Sequence, residues 1–228
     1  MTLNDHTVRA FDADMAGMRR AVVVMGGLVE RQFRRAVESV FTGDLELVSR
    51  VLADERAVNA LHLQIDDLCN RIIALRQPIA VDLREVIGVI HTINDLERVG
   101  DESKKIALKG RGVDASTWSE PLGRIAGMSE QAGDMLTRAI DAFGRHDPQV
   151  ARQLGACDDS VDDLRDALVD ELTAHMRTEP TRVAPALELI LIVQSIERVA
   201  DHAENIAEYI VNVVQGVDMR HGNLPVAA

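Results

Sequence analysis

Apolar residues recur at intervals of three and four along almost the whole chain, as in Val86, Ile87, Ile90, Ile93 and Leu96, and no stretch alternates convincingly at the period of a strand. This spacing lays one apolar stripe along a helix. It predicts six helices, at about residues 8–42, 44–77, 82–109, 118–145, 148–177 and 183–215. The six prolines agree with that division. Pro78 follows the run IIALRQ, Pro121 and Pro148 fall in first turns, Pro180 and Pro185 bracket the entry to the last helix, and Pro225 lies in the tail. Asp44 and Asp147 are placed as N-caps, Asp82 with Glu85 and Thr117 with Glu120 have capping-box spacing, and Gly110 and Gly216 are candidate stops.

The pattern also repeats. GDLELVSRVLADERAVNAL at 43–61 aligns without gaps on HDPQVARQLGACDDSVDDL at 146–164, and VIHTINDLERVGD at 89–101 aligns on LILIVQSIERVAD at 189–201. The expected fold is therefore all-α: two similar three-helix bundles packed side by side along a shared apolar seam. Residues 1–110 form the first bundle, 111–117 a linker, 118–217 the second bundle and 218–228 a tail.

Composition narrows the function classes. The chain has 228 residues, with 25 lysines and arginines against 37 aspartates and glutamates, a net charge of −12. With only six aromatic residues there is no stacking platform for bases, so no nucleic-acid partner is expected. The longest apolar run, AVVVMGGLV at 21–29, is too short to span a bilayer. Asp5, Asp12 and Asp14 stand where a signal peptide would carry positive charge, so a cytoplasmic protein is expected. Cys69 and Cys157 have no Cys-x-x-Cys context and are read as core or half-buried thiols.

The candidate chemistry lies in acids that a helix should not want. Glu197 and Asp201 stand four apart in SIERVADHAENIAEYI, and Glu97 and Asp101 stand four apart in LERVGDESKKIA. Like charges at this spacing cost roughly 0.2–0.5 kcal/mol per pair unless a positive charge lies between them. The preceding helix of the second half carries Asp158, Asp162, Asp166 and Asp170 in one stripe, with Asp159, Asp163 and Glu171 alongside and only Arg165 basic among them. The cation that would neutralise this ladder is missing, and a bound multivalent cation would supply it. Asp158 with Asp162, and Glu197 with Asp201, can bring four carboxylates around metal ions, with Asn205 adding an amide oxygen. Oxygen ligation of this kind suits magnesium, calcium, manganese or ferric iron. His202, beside Asp201, is the weaker candidate. In the first half, Glu55 is followed at i+4 by Asn59, and Lys105 stands where Asn205 does, placed to pair with Asp101.

These motifs resemble the PhoU family of phosphate-signalling regulators. The resemblance rests on MGGLVERQ in the first helix, LRQPIAVDLREV at the second turn, and the tandem DLERVGDESKKIA and SIERVADHAENIAEYI. It implies a cytoplasmic homodimer of two similar three-helix bundles that represses phosphate uptake and the phosphate-starvation response. The implied partners are the ATPase subunit of the phosphate ABC transporter and the phosphate sensor histidine kinase, with the membrane reached only through them. It also implies iron or zinc clusters at the acidic motifs; magnesium or manganese is suggested by the oxygen-only donors alone. On this chain the motifs fall on Glu97, Asp101 and Glu55, and on Glu197, Asp201, Asp158, Asp162 and Asn205. Lys105 departs from the motif's asparagine.

Two rivals remain. A ferritin-like di-metal oxidase needs Glu-x-x-His motifs, and none of the seven histidines has a glutamate three residues before it. A metal-free helical adaptor would use the acids only for solubility. The chain has no Gly-Lys-Ser/Thr phosphate loop, so no ATP hydrolysis of its own is expected.

Overall fold

The computed structural model describes residues 3–114 and 116–217, and among them there is no strand. Six helices follow in order: α1 (Leu3–Thr42), α2 (Leu45–Arg76), α3 (Ala80–Gly110), α4 (Ser119–Arg145), α5 (Val150–Thr178) and α6 (Val183–Gln215). A single 3-10 turn, Pro180–Arg182, leads into α6. The helices expected from the apolar spacing are all present; α1 begins at Leu3 rather than near residue 8. The tail expected at 218–228 lies outside the described residues.

Several helix ends differ from expectation, each for a local reason. Asp44 does cap α2, its carboxylate accepting from the Glu46 N–H at 2.7 Å. Asp147 instead closes a turn, accepting from the Gln149 N–H at 3.0 Å just before α5 begins at Val150. Asp82 falls inside the first turn of α3, because the helix starts directly behind the Pro78 turn, at Ala80. Thr117 gives its hydroxyl proton to Asp114 at 2.8 Å, and α4 is entered from Trp118 without a side-chain cap. Gly216 is a left-handed cap at φ +71°, with its N–H on the Asn212 carbonyl at 2.9 Å. α3 ends at Gly110 as expected, but not through a left-handed cap; the glycine is needed because α1 crosses so near that a Cβ there would stand 2.6 Å from Val40 Cγ2.

The repeat governs the packing. The equivalent helices α3 and α6 run along each other at the centre, α1 lies against α3, and α4 lies against α6. α2 closes the first bundle over α1 and α3, and α5 closes the second over α4 and α6. Val89, Ile93, Leu96 and Val99 of α3 and Leu189, Val193, Ile196 and Val199 of α6 are fully buried in one core that is continuous across both bundles. Each such side chain contributes roughly 1.5–3 kcal/mol. That outweighs the few tenths that each like-charged helix pair costs. The core therefore carries the fold, and the acid ladders are a tolerated expense of it.

Cys69 is fully buried, and burial pushes its thiol up to about 12. Cys157 is half-buried with its sulfur 3.6 Å from an Arg138 nitrogen. Among the described residues no helix is long and apolar enough to cross a membrane.

Candidate metal centre

Asp158 and Asp162 stand one turn apart on α5, and Glu197, Asp201 and Asn205 at successive turns on α6, the helix against which α5 packs. All five are half-buried. Burial keeps the carboxylates from being fully solvated, and their mutual repulsion adds to the cost of ionising them. Burial, then Glu204, Asp201, Asp162 and Glu197, push Asp158 up to about 7. Burial and Asp201 raise Glu197, while burial and Asp162 raise Asp201. Asp158, Glu197 and Asp201 are thus each raised by burial and by the charge of other acids in the group.

Two oxygens in this cluster lack hydrogen-bond partners, Asp158 Oδ1 and Asp162 Oδ1, and both are buried. Such groups are costly in a folded chain and mark an unmet need for positive charge or a donor. The ladder is not wholly without a cation, however. Arg165 hydrogen-bonds Glu197 across the α5–α6 contact and Asp166 at 3.0 Å, and lies 3.0 Å from Asp162 Oδ1 without hydrogen-bond alignment. The expectation of a missing cation is corrected to that extent: one guanidinium faces five or more acids and reaches neither Asp158 nor Asp201.

Glu204 is a member that the i, i+4 spacing overlooked. It enters the cluster against Gly155 of α5, where a Cβ would stand 3.0 Å from Glu204 Oε1. Burial, then Glu208, Asp201, Asp159 and Asp162, raise its carboxyl. The far end of the ladder is separate, since Glu171 is paired with Arg124 of α4. His202 is turned to the other bundle, its Nδ1 2.8 Å from the buried Asp95.

The first bundle fills the same framework differently. Glu55 is 4% exposed and receives the Gln32 amide at 3.0 Å and the Asn59 amide at 3.3 Å. Gln32 also donates to the Gly100 carbonyl at 3.0 Å. Lys104 lies 3.8 Å from Glu55 and 3.7 Å from Asp101. Burial still raises Glu55, with Asp101 adding to it, and Gln32 and Lys104 pull it back. Glu97 is half-buried and takes no part in these bonds. Lys105 does not pair with Asp101 as expected. It points to Glu102, one turn back, at 2.8 Å, and Lys104 serves Asp101 in its place.

Carrying the repeat alignments onward without a gap sets Gln32 against Met135, Glu55 against Asp158 and Lys104 against Glu204. Glu55 thus has an amide and an ammonium where Asp158 has a thioether and another carboxylate. Among the described residues no three His, Cys, Asp or Glu side chains stand together in ligating range. Even so, the orphaned oxygens, the raised carboxyls and the all-oxygen donor set of the second bundle fit a hard cation, with Arg165 displaced from Glu197. The first bundle supplies its own cation and donors.

A model of the PhoU domain matches the chain twice, at residues 22–109 and 125–210, once in each bundle. The chain belongs to the PhoU family. It is 34% identical over 222 residues to the phosphate-specific transport system accessory protein PhoU homolog of Pseudomonas aeruginosa, covering 96% of this chain and 91% of the relative. It is also 34% identical over 221 residues to the phosphate-specific transport system accessory protein PhoU of Escherichia coli, covering 97% and 92%. The crystal structure of PhoU from Pseudomonas aeruginosa superposes with a TM-score of 0.86 at 33% identity, over 91% of this chain and 100% of that one. The phosphate transport system regulatory protein PhoU from Streptococcus pneumoniae superposes at 0.84 with 25% identity, over 91% and 98%. The two PhoU signatures legible in the sequence are the stretches that form the central α3–α6 pair.

Proposed function

We propose that this PhoU-family chain is a negative regulator of phosphate uptake and of the phosphate-starvation response. It acts in the cytoplasm, as a homodimer, without catalysis of its own. It works as an adaptor on the ATPase subunit of a phosphate ABC transporter and on a phosphate sensor histidine kinase. The observation that carries the reading is likeness over both repeats to relatives named as accessory proteins of phosphate-specific transport, at 97% of this chain and 92% of the relative in one case. A partial match to one bundle would not support it.

The cofactor in this reading is a divalent or ferric ion held on the second bundle by Asp158, Asp162, Glu197 and Asp201, with Asn205 and Glu204 beside them. Iron or zinc is implied by family likeness, and magnesium or manganese by oxygen-only donors. A bound ion supplies positive charge between α5 and α6. The chain's own residues hold the two helices in register and keep the acids from solvent.

Deleting the gene tests the regulatory role: starvation enzymes stay switched on in rich phosphate, and normal repression in the deleted strain would overturn the reading. Metal content of the native protein, beside that of a Glu197→Gln, Asp201→Asn double variant, tests the cation. Steady iron-dependent oxygen consumption by the purified chain would favour the oxidase instead.

A further inference from the structure

The central seam holds a second polar site, which shares Asp201 with the α5–α6 cluster. Along the α3–α6 contact lies an open groove of about 340 Å³, into which α3 sends Arg98 and Lys105 and α6 sends Arg198. Arg98 and Arg198 are equivalent in the repeat, so each bundle contributes one arginine. Asp101, Glu102, Asp201 and His202 complete the lining.

The acids of the groove are unequal. Asp101 has Lys104 at 3.7 Å, Asp201 belongs to the carboxylate cluster, and His202 is tied to Asp95 at 2.8 Å. Glu102 is different: it is 5% exposed, its Oε1 takes Lys105 at 2.8 Å and Arg198 at 3.5 Å, and its Oε2 is buried with no donor. Among the described residues Arg98 has no ion-pair partner. The groove therefore offers one unpaired guanidinium, that of Arg98, beside two cations already shared with Glu102, and in its lining a carboxylate with one oxygen that no donor reaches. A ligand that satisfies both must accept from guanidinium and ammonium groups and donate one hydrogen bond to a carboxylate.

We propose that this groove binds inorganic phosphate. Near neutral pH the ion keeps a P–OH, which donates to Glu102 while its other oxygens accept from Arg98, Arg198 and Lys105. Sulfate has the same shape and no proton, so it would set bare oxygen against the buried carboxylate. A site with a buried acceptor for a ligand hydroxyl rejects the analogue that lacks it. Asp201 lines both this groove and the carboxylate cluster, so a cation on the cluster removes a repulsive charge beside the anion. As a statement about regulation the inference rests on the phosphate-regulator reading above; as a statement about binding it does not.

Titration calorimetry on the full chain, freed of both anions and loaded with one metal, tests it with inorganic phosphate and sulfate as probes. The expected result is one phosphate per chain, with sulfate weaker by roughly a hundredfold. Arg98→Gln, at an exposed position, weakens phosphate by roughly tenfold or more. Glu102→Gln replaces the acceptor with an amide donor and lets sulfate bind comparably. Absent phosphate binding, equal affinity for the two anions in the wild type, or binding unmoved by Arg98→Gln would each overturn the proposal. A chain that restores repression in the deleted strain but ignores phosphate refutes this inference alone. One that binds phosphate but fails to repress refutes the regulatory reading alone.

Discussion

Glu55 in the first bundle and Asp158 in the second occupy equivalent places on equivalent helices, and what surrounds them differs at three positions. Around Glu55 stand Gln32, Asn59 and Lys104, two amides and an ammonium that together leave neither oxygen without a donor or cation. At the aligned positions the second bundle has Met135, Asp162 and Glu204; one Asp158 oxygen is orphaned, and burial, then Glu204, Asp201, Asp162 and Glu197, push its carboxyl up to about 7. The backbone framework is shared; the charge balance is not. One bundle carries its counter-charge in its sequence, and the other leaves its acids short of positive charge.

Reversing the charge at position 204 should have the largest effect. Glu204→Lys places an ammonium where the first bundle has one. At about 5 Å and an effective dielectric near 20, one unit charge is worth about 3 kcal/mol. Reversal changes two unit charges, so cation affinity of the second bundle is expected to fall by well over a hundredfold, while the metal-free protein melts higher than wild type. Unchanged affinity in a metal titration would mean that Glu204 stands outside the cation's field.

The reverse transplant comes next. Gln32 is fully buried and holds both Glu55 and the Gly100 carbonyl. Gln32→Met copies the second bundle and leaves Glu55 Oε2 without its donor, at about 1–3 kcal/mol. Thermal unfolding should shift down by roughly 2–12 °C for a chain of this size. A shift within error would show that water replaces the amide and that the two bundles differ less than their donors suggest.

The unbalanced bundle should also imprint a pH dependence. Asp158 keeps its proton up to about 7 in the folded chain and loses it near 4 when unfolded. Between those limits the native state binds more protons than the unfolded state, so metal-free stability falls as pH rises through that window. Glu197, Asp201, Glu204 and, in the first bundle, Glu55 pull the same way. Glu85 opposes them: burial is outweighed by Arg19 and His146, its carboxyl is held low, and its contribution is lost only at the acid end. Melting temperature against pH is therefore expected to decline from about pH 4 to 7 without metal and to flatten or reverse with saturating cation. A flat metal-free profile would place the acids further apart than their repulsion indicates.

What could be read beforehand follows the reach of each interaction. The six helices, the repeat and the pairs Glu197–Asp201 and Glu97–Asp101 are local facts of spacing on one helix. The capping boxes at Asp82 and Thr117 had the right spacing and failed, because a proline turn set one start and Asp114 took the other hydroxyl. Arg165 was visible as a lone base among acids, but its bond to Glu197 crosses from α5 to α6. Gln32 comes from a third helix and Met135 from a fourth; Gln32 closes the MGGLVERQ motif, but nothing in that stretch ties it to Glu55. Glu204 and Lys104 did carry a signal: both lie three residues past the motif aspartate, on the same helix face. Comparing the repeats at that position, rather than at 105 and 205, would have found the asymmetry.

The smallest expected effect is at Lys104 itself, and it discriminates between two ways of balancing a buried acid. Its side chain is 40% exposed and its nitrogen lies 3.8 Å from Glu55, beyond hydrogen-bond range. A pair of that kind contributes about 0–1 kcal/mol. Lys104→Met should therefore lower the melting temperature by less than about 4 °C. Its value appears in combination with Gln32→Met, because both residues act on one carboxylate. If the amide is the main support of Glu55, the ammonium matters more once the amide is gone, and the double variant loses more than the sum of the singles. Strict additivity would mean that Lys104 serves Asp101 and leaves Glu55 to Gln32 and Asn59.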